Sequence, residues 1–424
     1  MKRYDDYDRR LASFRRDSSL EEIEIPVGHD LSLFSRYLTA VICVISFLLF
    51  LNMPNYVQTI DGHILPKYFY YLFAALITPF LLLKPKSVMR YLTQPFAWWA
   101  AAFIIVNSIG LMMVQDTNQN IASQISTQNQ FMVYSILLGF IFSITPARSY
   151  EFIFVILAFA IPFLVLFDFV SPGILYTMGI NDTVPGRASG TYLDPNIAGE
   201  VMLLACLFAI PVISSRYRML LLSVAGVGIM LTFSRGAIIT WIILYLFFQF
   251  TGTLSKKTLI FVVVLLVVVP VLIGGFRYYL EDRQDLQLGH KDILFRLDSL
   301  QSLSIRDDSA QDRLNLLEGG WDLFLKNPLI GVGCGVAPLL LGGEGPHNLV
   351  VMMAAQYGIF GICLWIALVL ILWNGNYFEE KKYQHAVTIM FVVSTLFAHS
   401  MLSQDPWLLT FAIASGRRPD LNSV

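Results

Sequence analysis

Twelve apolar runs alternate with polar segments along the chain, at about 37–53, 68–83, 96–114, 131–145, 151–170, 196–213, 219–234, 237–250, 258–275, 347–373, 385–402 and 406–416. Several are shorter than the roughly 20 residues a helix needs to cross a bilayer upright. Together they predict an all-α integral membrane protein with about 12 transmembrane helices. The 347–373 run is long enough for a bent helix, or for a half-helix followed by a span. The organisation that follows is a polar tail over 1–36, helices over 37–275, a large loop over 276–346, three more helices over 347–416 and a short tail over 417–424.

Composition agrees with this pattern: 56% of the 424 residues are hydrophobic, and the mean hydropathy is +0.63. A soluble protein of this length would expose too much apolar surface. The placement of charge then orients the chain. With the N-terminus inside, the inner segments hold 19 of the 29 Lys and Arg, and each inner loop has at least one. The short outer loops hold only Lys67, Arg187 and Arg235, and the rest fall in the long loop, where the positive-inside rule loses force. Both termini are therefore expected to be cytoplasmic and the 276–346 loop outside. The N-terminal tail is too long and too mixed in charge to be a signal peptide. Cys43, Cys206, Cys334 and Cys363 suggest no disulfide framework. Trp98, Trp99, Trp373 and Trp407 stand near span ends, where interfacial aromatics belong.

Two outer segments are large enough to carry chemistry. Residues 171–195 are rich in Gly, Pro, Asp and Ser, a structured loop that ends in Asp194 as N-cap and Pro195 at the first helical position. In the larger loop, Ser309 to Asp312 form a capping box. Leu314, Leu317, Trp321 and Phe324 then recur at helical spacing up to Asn327-Pro328. This predicts an amphipathic helix lying on the membrane surface or against the outer ends of the spans. Six glycines between Gly331 and Gly345 follow, a loop able to bring its backbone close to a neighbour.

No P-loop, dinucleotide fingerprint or Ser-His-Asp signature is present. The cytoplasmic loops are too short for a nucleotide-sugar domain, nothing points to nucleic acid, and no cofactor is expected. No ligand set indicates a metal: Asp61 and His63 form a weak pair that reads more readily as a turn. Arg235 stands between two apolar runs with almost no loop, where it either snorkels to headgroups or binds a phosphate. Arg187, among small residues, is either a solvated loop arginine or a ligand contact. Arg313 opens the amphipathic helix. Glu200 lies one turn inside its span, paired with an outer arginine or neutralising the helix end. If Pro346 is the first helical residue, His347 lies beside unpaired N–H groups that disfavour its charged form. It then suits a general base, unless it only caps or packs. By topology the other outer histidines are His63 and His290.

The chain resembles the bacterial O-antigen ligases and the related surface-polysaccharide polymerases. Their histidine motif is matched by His347-Asn348, nine residues, then Gly358-Ile-Phe-Gly361. "RASGTYLDPNIAG", "LTFSRGA" and "DRLNLLEGGWDLFLKNPLIGVGCG" resemble the family in its usual order. The resemblance implies a glycosyltransferase C-type helical fold in the bacterial inner membrane, with the active site at the periplasmic face. It implies His347 as base, Arg187, Arg235 and Arg313 on a diphosphate, and Asn348 and Glu200 in support. The donor would be an undecaprenyl-diphosphate-linked glycan and the acceptor a sugar of lipid A–core, in an inverting, metal-free reaction. A polymerase joining lipid-linked repeats is the alternative. A transporter fits less well, because its ionisable groups would sit near the bilayer midplane.

Overall fold

The computed structural model describes residues 33–113, 119–171, 174–175, 187–255 and 308–418. The expected cytoplasmic tail, the span at 258–275, residues 276–307 and most of the 171–186 loop lie outside the described residues. By contact the chain divides into Met1–Leu38 and Thr39–Val424. The first unit contributes only the opening of α1, and all that follows concerns the second.

The described residues are helical, with no strand beyond one isolated bridge. The helices are α1 Leu33–Phe50, α2 Met53–Ile60, α3 Pro66–Leu83, α4 Pro85–Leu92, α5 Pro95–Met113, α6 Gln119–Ile144 and α7 Phe152–Val170. They continue as α8 Pro195–Ala209, α9 Ser215–Leu231, α10 Arg235–Phe250, α11 Asp308–Lys326, α12 Val336–Leu340, α13 Leu349–Asn374, α14 Lys381–Ser394 and α15 Asp405–Ala414. Each apolar run inside the described residues carries a helix. Three helices (Pro66–Leu83, Phe152–Val170 and Leu349–Asn374) are long and apolar enough to cross a membrane, and two bent pairs raise the number to five. Three to five candidate spans among the described residues agree with a membrane protein and are fewer than the twelve expected. Helices such as α8 and α10 are apolar yet short of the length an upright crossing requires.

Helix α8 is the centre of the bundle. Every residue from Ala198 to Ala209 is buried, which is what a helix apolar on all sides requires. It packs against α7, α9, α10, α14 and α15. Its first turn and its last define two ends of the molecule. At the last turn, Phe208 meets Tyr377 and Phe378, with ring centroids 6.0 and 5.6 Å away. Glu151 there pairs with Arg418 at 2.9 Å, and Arg218 stands over the Tyr383 ring. Several of the basic residues assigned to inner loops thus gather at one end. The candidate site lies at the other.

Several expectations need correction. Helix α6 begins at Gln119 rather than near 131. Its polar first half is held by buried amides: Asn107 donates to Asn129 at 2.9 Å, and Tyr357 donates to Asn107 at 2.9 Å. Trp99 and Trp407 are interior, not interfacial. Trp99 donates to the Leu364 carbonyl and Trp407 to Glu200, whereas Trp98 and Trp373 are exposed. Ser309 cannot be an N-cap, because α11 already includes Asp308. This helix meets α13 through its glycine side, where a Cβ on Gly320 would lie 2.9 Å from Val351 and 3.0 Å from Pro346. Leu314, Trp321 and Leu325 face outward.

Candidate active site

Arg187 is placed by backbone contacts. The Asp168 carboxylate, at the end of α7, accepts from the N–H groups of Ser189 (2.8 Å) and Gly190 (3.0 Å). Ala188 N–H donates to the Leu231 carbonyl. The Arg187 side chain then donates from Nε to the Thr232 carbonyl (2.7 Å) and from Nη2 to Asn196 Oδ1 (3.0 Å). Asn196 in turn donates, through both N–H and Nδ2, to Asp194. Asp194 is the N-cap of α8 with Pro195 following, as the sequence indicates.

Arg235 begins α10, immediately after a tight turn. Phe233 takes a positive φ of 51°, and Ser234 caps the helix by accepting from Ala237 N–H. The Arg235 side chain is exposed at this end of the bundle. A Cβ on Gly236 would lie 2.9 Å from Phe397, so the start of α10 rests on the turn that follows α14. Thr232, which holds Arg187, is three residues from Arg235. Both arginines therefore belong to the segment around the α9–α10 turn.

His347 precedes α13 rather than opening it. The N-cap is Asn348, whose side chain accepts from Val351 N–H at 3.1 Å, so Pro346 is not the first helical residue. Leu349 N–H donates to the Thr395 carbonyl at 2.9 Å, joining this helix start to the turn after α14. The His347 imidazole is half-buried, and burial is the main cause that pushes its pKa below the ordinary value. The Arg313 guanidinium adds to the lowering, while Glu344 and Asp194 oppose it. A neutral ring at this mouth was anticipated, but the cause is desolvation and Arg313 rather than unpaired helix N–H groups.

The second half of the histidine motif is structural. Helix α13 breaks at Gly358, with φ 61° and ψ −142°, conformations essentially confined to glycine. The segment after α11 enters the break. Val332 and Gly333 N–H donate to the carbonyls of Ala355 and Gln356, each at 2.9 Å, and Ile359 N–H donates to the Pro328 carbonyl at 2.8 Å. Backbone groups freed by a kink in an apolar setting are thereby paired again. The approach is so close that a Cβ on Gly331 or Gly358 would fall 2.4 Å from the facing backbone. The bent helix and the close-packing glycine loop expected from the sequence are both present.

One end of the molecule therefore carries Arg187, Asp194, Arg235, Arg313 and His347 with its cap Asn348. Glu200 is set apart: it is buried inside α8 and accepts from Trp407 Nε1 at 2.9 Å. Asp61 closes a turn by accepting from His63 N–H. Two residues were missed. Asp168 lies at the end of an apolar run, and His399 lies inside the 385–402 run, but α14 stops at Ser394. His399 stands beside His347, with ring centroids 5.3 Å apart. Among the described residues no three His, Cys, Asp or Glu side chains converge to hold a metal, and the cysteines are free.

Comparison with known families bears on the central part of the chain. Residues 219–366 match the family model described as O-antigen ligase. Over that segment, about a third of its length, the chain is similar to the O-antigen ligase family. No curated protein matches the chain. The matched segment contains Arg235, Arg313 and the entire histidine motif. Arg187, Asp194 and His399 lie outside it. The match supports an enzyme at the general level, because members of that family are ligases and polymerases.

Proposed function

We propose that the protein is an O-antigen ligase of the bacterial inner membrane. It transfers a glycan from undecaprenyl diphosphate to a sugar hydroxyl of lipid A–core. Both termini are cytoplasmic, the reaction occurs at the periplasmic face, and the helices adopt a glycosyltransferase C-type arrangement. What supports this reading is a half-buried histidine of lowered pKa with Arg313 beside it, at the end of the bundle that also carries Arg187 and Arg235.

His347 takes the proton of the acceptor hydroxyl as that oxygen attacks the anomeric carbon. Attack opposite the leaving group inverts the configuration, and the glycosyl–oxygen bond to the diphosphate breaks. Arg187, Arg235 and Arg313 hold the diphosphate and stabilise the charge that grows on it; forked donors suit this better than a point charge. Asn348 fixes the helix start next to His347, and Glu200, buried inside α8, supports the packing of that helix through Trp407. No metal is required. The outward Leu314, Trp321 and Leu325 of α11 suit contact with membrane lipid beside a lipid-borne donor.

Purified protein given a lipid-linked glycan, with and without lipid A–core, tests the proposal. Product on lipid A–core supports the ligase. Elongated lipid-linked glycan without it would replace the ligase by the polymerase, which shares this chemistry and differs in the acceptor.

A further inference from the structure

His399 occupies the turn between α14 and the 3-10 turn Met401–Ser403, and the proposed reaction assigns it no role. Its ring meets that of His347 edge to face, with centroids 5.3 Å apart and planes at 77°. A Cβ on Gly345 would come within 3.3 Å of His399 Cδ2 and 3.4 Å of Nε2, so the ring lies over the backbone two residues before His347. Its Nδ1 is buried without a hydrogen-bond partner. The turn is clamped from two sides, by Leu349 N–H on the Thr395 carbonyl and by Gly236 against Phe397.

We propose that His399 is a positioning residue for His347, its ring fixing the orientation of the His347 imidazole and shielding it from water. The proposal rests on the reading of His347 as base, yet it concerns a physical contact that can be tested separately. An aromatic pair in this geometry is favourable beyond its buried area. His399 acts through its ring rather than a charge: burial and the neighbouring His347 push its pKa down to about 4. The groups facing His347 are Arg313 from α11, Glu344 from the preceding loop, Asp194 at the start of α8 and His399 itself. Removing the His399 ring admits water, weakens the desolvation that holds His347 neutral, and moves its pKa up toward the ordinary value.

Site-resolved carbethoxylation by diethyl pyrocarbonate, read by mass spectrometry across pH, gives the titration midpoint of His347 without reference to turnover. The His399→Ala variant is expected to raise that midpoint toward about 6.5. It should also lower kcat about ten-fold with donor KM little changed, as loss of orientation does. His399→Phe keeps a ring, removes an unpartnered buried nitrogen, and should return both quantities most of the way. Should His399→Ala fail to fold, His399→Leu, which fills space without a flat ring, takes its place in the comparison. An unmoved His347 midpoint in the ringless variant, or a Phe variant as impaired as Ala, overturns the proposal. If the midpoint moves while His347→Ala still transfers glycan, the positioning contact stands and the base assignment falls.

Discussion

Gly358→Ala probes the break in α13 with a magnitude the structure supplies. The alanine would have to adopt φ 61° and ψ −142°, and its Cβ would fall 2.4 Å from the Leu329 carbonyl carbon. Backbone strain of this kind costs about 1–3 kcal/mol. Relief requires the 328–333 segment to withdraw, which breaks the hydrogen bonds at Val332, Gly333 and Ile359. At roughly 1 kcal/mol each, and more if the groups stay buried, these bring the loss to about 4–6 kcal/mol. That is a large share of the roughly 5–15 kcal/mol by which a protein is stable. The assay is thermal unfolding of purified protein in detergent, where a fall of roughly 5 °C or more is expected. Gly342→Ala is the control, because it also has positive φ (88°) but its Cβ would meet open space. A Gly358→Ala protein as stable as wild type, or no worse than Gly342→Ala, would refute the account of the kink.

Further outcomes follow from the site. Arg235→Lys keeps the charge and loses the fork, so turnover should fall about ten-fold, with Ala worse; wild-type kinetics in the lysine variant would reduce Arg235 to a headgroup contact. Transfer should survive excess EDTA, and loss restored by magnesium or manganese would bring back a metal. The folded pKa of His399, about 4 against an ordinary 6.5, lies below its unfolded value. Its contribution to stability is therefore complete above about pH 6.5 and is lost as pH falls toward 4, by up to about 3 kcal/mol. His399→Phe should flatten that acid loss in a melting series, and an unchanged pH dependence would count against the assigned environment.

The legible parts of the site are those that interrupt an apolar background. Arg187, Arg235, Arg313 and His347 stand out because a charge or a histidine beside a span needs a reason. Asp194 followed by Pro195 reads directly as a helix start. His399 is invisible for the converse reason: the apolar composition continues past Ser394, although the helix does not. The first half of α6 is missed because Gln, Asn and Ser give no apolar period. Only the tertiary network of Asn107, Asn129 and Tyr357 shows why those amides are tolerated. The glycine loop announces close packing but not its partner, since the carbonyls of Ala355 and Gln356 become available only once α13 is broken. The helix beside His347 starts three residues later than expected, at Leu349 rather than Pro346, because Asn348 is the better cap.

The central claim is that His347 is the base, and the most direct measurement is transfer by His347→Ala and His347→Gln proteins. It is made in proteoliposomes with a lipid-linked glycan and lipid A–core, at expression and melting temperature matched to wild type. His347 lies outside α13 and is only half-buried, so both variants should fold. The account predicts that they bind donor and fail to transfer. Near-normal transfer by either well-folded variant would contradict it.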